Sequence, residues 1–134
     1  MSVVERRKTI GNNLSFGASE AYKLLRTNLV FSMTDERKCK IIGVTSALRH
    51  EGKSTTSINL AFTLAQSRKN VLLIEGDMRI PVFASMLRLG ETIGLSEVLA
   101  GVNSLNEAVH KDVLIEKMYV ITAGNVPPNP SELL

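Results

Sequence analysis

Apolar positions along the chain follow two kinds of pattern. From Ser19 to Met33, Ala21, Leu24, Leu25, Leu29 and Val30 recur at helical spacing, which predicts an amphipathic helix with Ser19 as N-cap and Glu20 in its first turn. Ile41 to Thr45 is instead a short, nearly all-apolar, β-branched run without alternation, the pattern of a strand buried on both faces of a parallel sheet. Ser54 to Ser67 carries Ile58, Ala61, Phe62 and Ala65 on one stripe and Leu60 and Leu64 on a second. Such a helix is buried over more than half its circumference. Arg68 and Lys69 suit its negative C-terminal end, Asn70 suits a left-handed cap, and Val71 to Ile74 begins another apolar strand. Strand, helix and strand make one βαβ unit, so the expected class is α/β, with a parallel sheet flanked by helices.

Beyond Pro81 the pattern predicts a short helix over Val82 to Leu89, a loop from Gly90 to Gly94, and helical turns over Ser96 to Ala100 and Ser104 to His110. A strand follows over Met118 to Thr122. Pro127, Pro128, Asn129 and Pro130 then read as a rigid extended segment that cannot donate to a sheet at its prolines, and Ser131 with Glu132 reads as the start of a helix. Residues 1–18 read as a polar tail, with a loop from Gly11 to Gly17, ahead of a domain over 19–134. The run Arg6, Arg7, Lys8 fits a solvated tail better than a membrane anchor, which needs a larger basic cluster or a second signal.

Composition narrows the class. The 134 residues are 44% apolar and 22% charged, ordinary values for a globular chain. A net charge of +3 with 4% aromatic residues gives no footprint for nucleic acid. Cys39 stands alone, so there is neither an internal disulfide nor a thiolate metal cluster to consider. No apolar run is long enough to span a bilayer and the charged N-terminus lacks the apolar stretch of a secretory signal, which points to a cytoplasmic protein.

The chemistry lies between the first predicted strand and the helix after it. Ala47 to Ser54 reads A-L-R-H-E-G-K-S, a small residue, four free positions and then Gly-Lys-Ser, the phosphate-loop pattern. Chance supplies such a match in about one chain of this length in a hundred. Here Gly52 allows backbone to approach a phosphate where a Cβ would clash. Lys53 supplies a mobile cation; two unit charges about 4 Å apart interact by about 4 kcal/mol at an effective dielectric of about 20. Ser54 offers a hydroxyl to Mg²⁺, and Thr55 is placed to cap the same helix turn. His50 reads as a solvent-facing spacer, and His110 has no partner nearby in sequence. The second strand ends in Glu75, Gly76, Asp77, Met78, Arg79, which brings two acids and a guanidinium to the C-terminal sheet edge where ligands bind.

These residues resemble the bacterial tyrosine kinases of capsule and exopolysaccharide assembly, within the deviant-Walker group of P-loop ATPases. The likeness rests on Ser19-Glu20-Ala21-Tyr22-Lys23 with Leu25-Arg26-Thr27-Asn28, on Glu51-Gly52-Lys53-Ser54-Thr55, and on Leu72-Leu73-Ile74-Glu75-Gly76-Asp77-Met78-Arg79 with Pro81. Gly94-Leu95-Ser96 and the segment from Gly124 through Pro127-Pro128-Asn129-Pro130-Ser131-Glu132-Leu133-Leu134 extend it over nearly the whole chain. The resemblance implies that Glu51 to Thr55 bind ATP, that Lys53, Glu75 and Asp77 are catalytic, and that Ser54 and Asp77 hold Mg²⁺. It also implies ring assembly through Glu20, Lys23 and Arg26, with Lys23 standing where the family motif has arginine. The implied partners are a membrane adaptor that holds the domain at the inner face of the cell membrane, intact kinase subunits, and a tyrosine-containing protein substrate.

Two departures bear on activity. Glu75 occupies the position of the first aspartate of the family's Asp-x-Asp motif, one methylene longer, and about 1 Å of misplacement at a reacting centre costs about 100-fold in rate. The family continues into a Walker B strand and a tyrosine-rich tail, both expected beyond Leu134; without that strand the fold is incomplete in its C-terminal half and Ile41 to Thr45 has an unpaired edge. The only tyrosines, Tyr22 and Tyr119, fall in helix and strand positions that suit packing. Three functions remain in view: an ATP-binding tyrosine-kinase domain impaired in its metal site, a non-catalytic module that joins rings of intact kinase, and a partitioning-type ATPase. The last lacks the second loop lysine, since position 48 is Leu.

Overall fold

A computed structural model describes residues 2–90 and 92–134. Its elements in chain order are α1 (Val3–Arg7), a 3-10 turn (Gly11–Asn13), α2 (Phe16–Ser32), α3 (Lys53–Gln66), β1 (Val71–Ile74), α4 (Phe83–Met86), α5 (Leu95–Leu99), α6 (Leu105–Ala108), β2 (Met118–Ile121) and α7 (Pro130–Leu133). The loop read over Gly90 to Gly94 includes residue 91, which lies outside the described residues.

The class is α/β, with a small parallel sheet among helices. β1 and β2 pair in the register Val71 with Met118 through Ile74 with Ile121, and the ladder extends to the Glu75 N–H, which donates to the Ile121 carbonyl at 3.0 Å. On its other side β2 exchanges hydrogen bonds with His110. The double stripe of α3 is buried as its spacing predicts, and Ile58, Ala61, Phe62 and Ala65 form the core with Met118 and Val120 of β2 and Phe83 and Met86 of α4.

Four expectations change. Ile41 to Thr45 is not a buried strand: it belongs to no ladder, and Ile41 is 94% exposed. A strand's amides need a neighbour, and neither β1 nor β2 pairs with this segment. The helix expected from Ser19 starts a turn earlier, because Ser15 accepts from the Ala18 N–H at 3.2 Å and caps it. The left-handed residue after α3 is Arg68 (φ 64°), not Asn70, with its N–H returned to the Ala65 carbonyl. Finally, residues 2–18 are part of the fold rather than a solvated tail. Ile10 is buried in the core, and the fully buried Asn59 of α3 clamps the segment from both ends of its amide. Asn59 Oδ1 accepts from the Gly11 N–H at 2.9 Å, and its Nδ2 donates to the Thr9 carbonyl at 2.8 Å.

Two glycines hold the far end of β2. A Cβ on Gly94 would lie 2.2 Å from the Gly124 nitrogen, and one on Gly124 (φ 79°) would lie 2.0 Å from Glu97 Oε2. This close approach lets the Glu97 carboxylate accept N–H bonds from Gly94 at 2.8 Å and Asn125 at 3.0 Å. Although partial burial raises its pKa, hydrogen bonds from the Asn125 and Gly94 amides outweigh that and hold it below the usual glutamate value.

Candidate functional site

The loop before α3 turns through His50 (φ 60°) and Gly52 (φ 87°), and only then do helical angles begin at Lys53. No side chain caps this helix, Thr55 included, so the N–H groups of Lys53, Ser54 and Thr55 remain at the positive end of the dipole without an intrahelical acceptor. Such an end attracts anions. Lys53 Nζ reaches back across its own loop and donates to Ser46 Oγ at 2.8 Å and the Leu48 carbonyl at 3.2 Å. The Leu48 N–H in turn donates to Glu51 Oε2 at 3.1 Å, so Glu51 braces the loop.

Asp77 and Glu75 have different environments. Asp77 is exposed, and its Oδ1 accepts from the Arg79 and Ile80 N–H groups at 3.2 and 3.0 Å. That Asx-type turn fixes the carboxyl group just beyond β1. Glu75 is only 3% exposed. Its Oε1 accepts from the Val82 and Phe83 N–H groups at 2.6 and 3.0 Å, and its Oε2 from the Ala123 N–H at 3.1 Å. Burial raises the Glu75 pKa, the three backbone amides oppose that, and the nearby Asp77 charge adds to the rise. In this arrangement Glu75 is a strut between the ends of β1 and β2 and the start of α4.

A cleft of about 700 Å³ collects most of the expected site. Gly52 to Thr55, with Glu51, form one wall and Asp77 and Arg79 another, whereas Glu75 does not line it. A third wall had no signal in the sequence: Arg6 and Thr9, from the segment read as a tail, face the same cleft. The Asn59 clamp, a contact across about fifty positions, helps bring them there, together with buried Ile10 and the bond from Arg7 to the Ser85 carbonyl. His50 is exposed and lines the cleft. Glu20, Lys23 and Arg26 lie elsewhere, on α2: Lys23 Nζ pairs with Glu20 Oε1 at 3.1 Å, and Arg26 Nη1 donates to the Thr63 carbonyl of α3 at 2.7 Å.

No model of a known protein family matches the chain. Individual proteins do. Over 117 residues the chain is 45% identical to the tyrosine-protein kinase YwqD of Bacillus subtilis, a match that covers 87% of this chain and 48% of YwqD. The chain is a homologue of the bacterial tyrosine kinases. It spans about half the length of the curated relatives YwqD, CpsD and CapB. The solved kinase domain of the Escherichia coli tyrosine kinase ETK superposes with a TM-score of 0.85 at 38% identity, covering 96% of this chain and 49% of that one. The chimerical protein CapA2B2 superposes with a TM-score of 0.81 at 32% identity, covering 96% of this chain and 55% of the chimera. Among the described residues no helix is long and apolar enough to cross a membrane.

Proposed function

We propose that this chain is the ATP-binding part of a protein-tyrosine kinase of the capsule or exopolysaccharide assembly type. One observation carries the reading: Lys53, at an uncapped helix start, and Asp77, at the end of a parallel strand, line a single cleft. In that cleft the amides of α3 and the Lys53 ammonium hold the phosphates, with Lys53 exchanging Ser46 and Leu48 for phosphate oxygens. Asp77 is placed to receive a tyrosine hydroxyl or a metal-bound water.

The donor set fits Mg²⁺. The hydroxyl of Ser54 and the carboxylate of Asp77 are hard oxygen ligands on the same cleft, and no cluster of three metal-ligating side chains occurs among the described residues. Mg²⁺ bound to nucleotide usually takes one or two protein oxygens and fills its shell with phosphate and water. When bound, the ion supplies charge neutralisation at the phosphates. Glu75, spent on three amides, is outside that shell, so we assign it a positioning role in place of the catalytic one.

The proposal includes a membrane adaptor, for which the likeness to the CapA2B2 chimera is the support. It includes assembly through α2, whose residues are all at least partly exposed and which carries Glu20, Lys23 and Arg26. The test is ATP-dependent tyrosine phosphorylation with a tyrosine-tailed kinase partner, comparing the chain with its Lys53→Ala variant. Slow phosphorylation that needs Lys53 supports the reading; a rate equal in both proteins rejects it.

A further inference from the structure

The N-terminal segment carries neighbouring arginines with different surroundings. Arg7 is committed to the fold, since its Nε donates to the Ser85 carbonyl at 2.9 Å. Arg6 is half-buried on the wall of the cleft, and among the described residues its guanidinium has no hydrogen-bond or ion-pair partner. Its backbone is fixed nonetheless: the Arg6 carbonyl accepts from the Thr9 N–H at 3.1 Å and from Thr9 Oγ1 at 2.8 Å. Asn59 then ties the Thr9 carbonyl and the Gly11 N–H to α3, the helix that begins with Lys53.

A guanidinium that spends none of its donors on the fold keeps them available to an anionic ligand in the cleft. Arg6, Arg49, Lys53 and Arg79 line the cleft against the carboxylates of Glu51 and Asp77, so positive charge is in excess. A planar guanidinium with several donors matches the oxygens of a phosphate chain. We propose that Arg6 is a phosphate-binding residue of this cleft and holds a nucleotide's polyphosphate together with Lys53. The proposal rests on reading the cleft as the nucleotide site.

Titration of the whole chain with ATP, inorganic triphosphate and adenosine separates the possibilities. Arg6→Ala is expected to weaken ATP and triphosphate binding about tenfold and leave adenosine binding unchanged, with Arg6→Lys losing less. The melting temperature without ligand should match the unsubstituted chain, because among the described residues the guanidinium makes no hydrogen bond or ion pair. Triphosphate affinity unchanged in Arg6→Ala but reduced in Lys53→Ala overturns the role of Arg6 alone. Affinity unchanged in both variants, or no binding by the unsubstituted chain, overturns the nucleotide site and the role of Arg6 with it. Equal losses for adenosine and triphosphate in Arg6→Ala also overturn it, since the effect is then on the cleft's shape rather than on phosphate.

Discussion

Glu75 and Asp77 are two positions apart and look alike in the sequence, yet burial separates them. The strut role of Glu75 predicts that Glu75→Ala, which leaves three buried amides without an acceptor, destabilises the chain by about 3 kcal/mol in urea unfolding. Its raised pKa gives a pH signature. The folded chain keeps this proton to higher pH than the unfolded chain, so the contribution of Glu75 to stability is greatest below pH 4.5 and falls as pH rises from 4.5 through its folded pKa. Glu5, Glu97 and Glu107 have lowered values, and what they contribute is lost only as pH falls below 4.5. Glu75→Gln should therefore flatten the decline above pH 4.5; an unchanged slope counts against the assignment.

At the scale of elements, the phosphate loop was legible because its signal is local. Spacing from Ala47 to Ser54 fixes a turn and a helix start, and the apolar stripes of α3 fix the buried face. Contacts between distant segments left no such trace. The Asn59 clamp helps hold Arg6 and Thr9 at the site, and an asparagine inside a helix gives no hint of partners about fifty positions away. Asn59→Ala should lower the melting temperature and speed hydrogen exchange at the Gly11 amide, a local opening that amide-resolved exchange can follow. The Gly94 and Gly124 approach was equally silent. Gly94→Ala, whose Cβ would meet backbone at 2.2 and 2.4 Å, should cost more than about 2 kcal/mol in denaturant unfolding; a smaller loss shows that the two segments separate easily.

For the whole molecule, the sequence pattern conveyed the α/β class, a parallel sheet and the two segments that became β1 and β2, while the segment Ile41 to Thr45 shows why pattern alone is insufficient. Its β-branched residues suit a buried strand, but a strand exists only through its neighbours, and this segment is exposed and unpaired. The two-strand sheet still positions Lys53 and Asp77 on one cleft, so nucleotide binding should couple to global stability. ATP at about 100 times its dissociation constant should raise stability by about 2.7 kcal/mol, read as a concentration-dependent rise in melting temperature. Calorimetric titration of the chain with ATP and Mg²⁺, beside its Lys53→Ala variant, measures directly whether this cleft binds nucleotide through Lys53. Saturable one-site binding that weakens at least about tenfold in the variant is expected; no binding by the chain, or equal binding by both, rules out the cleft as a Lys53-dependent nucleotide site.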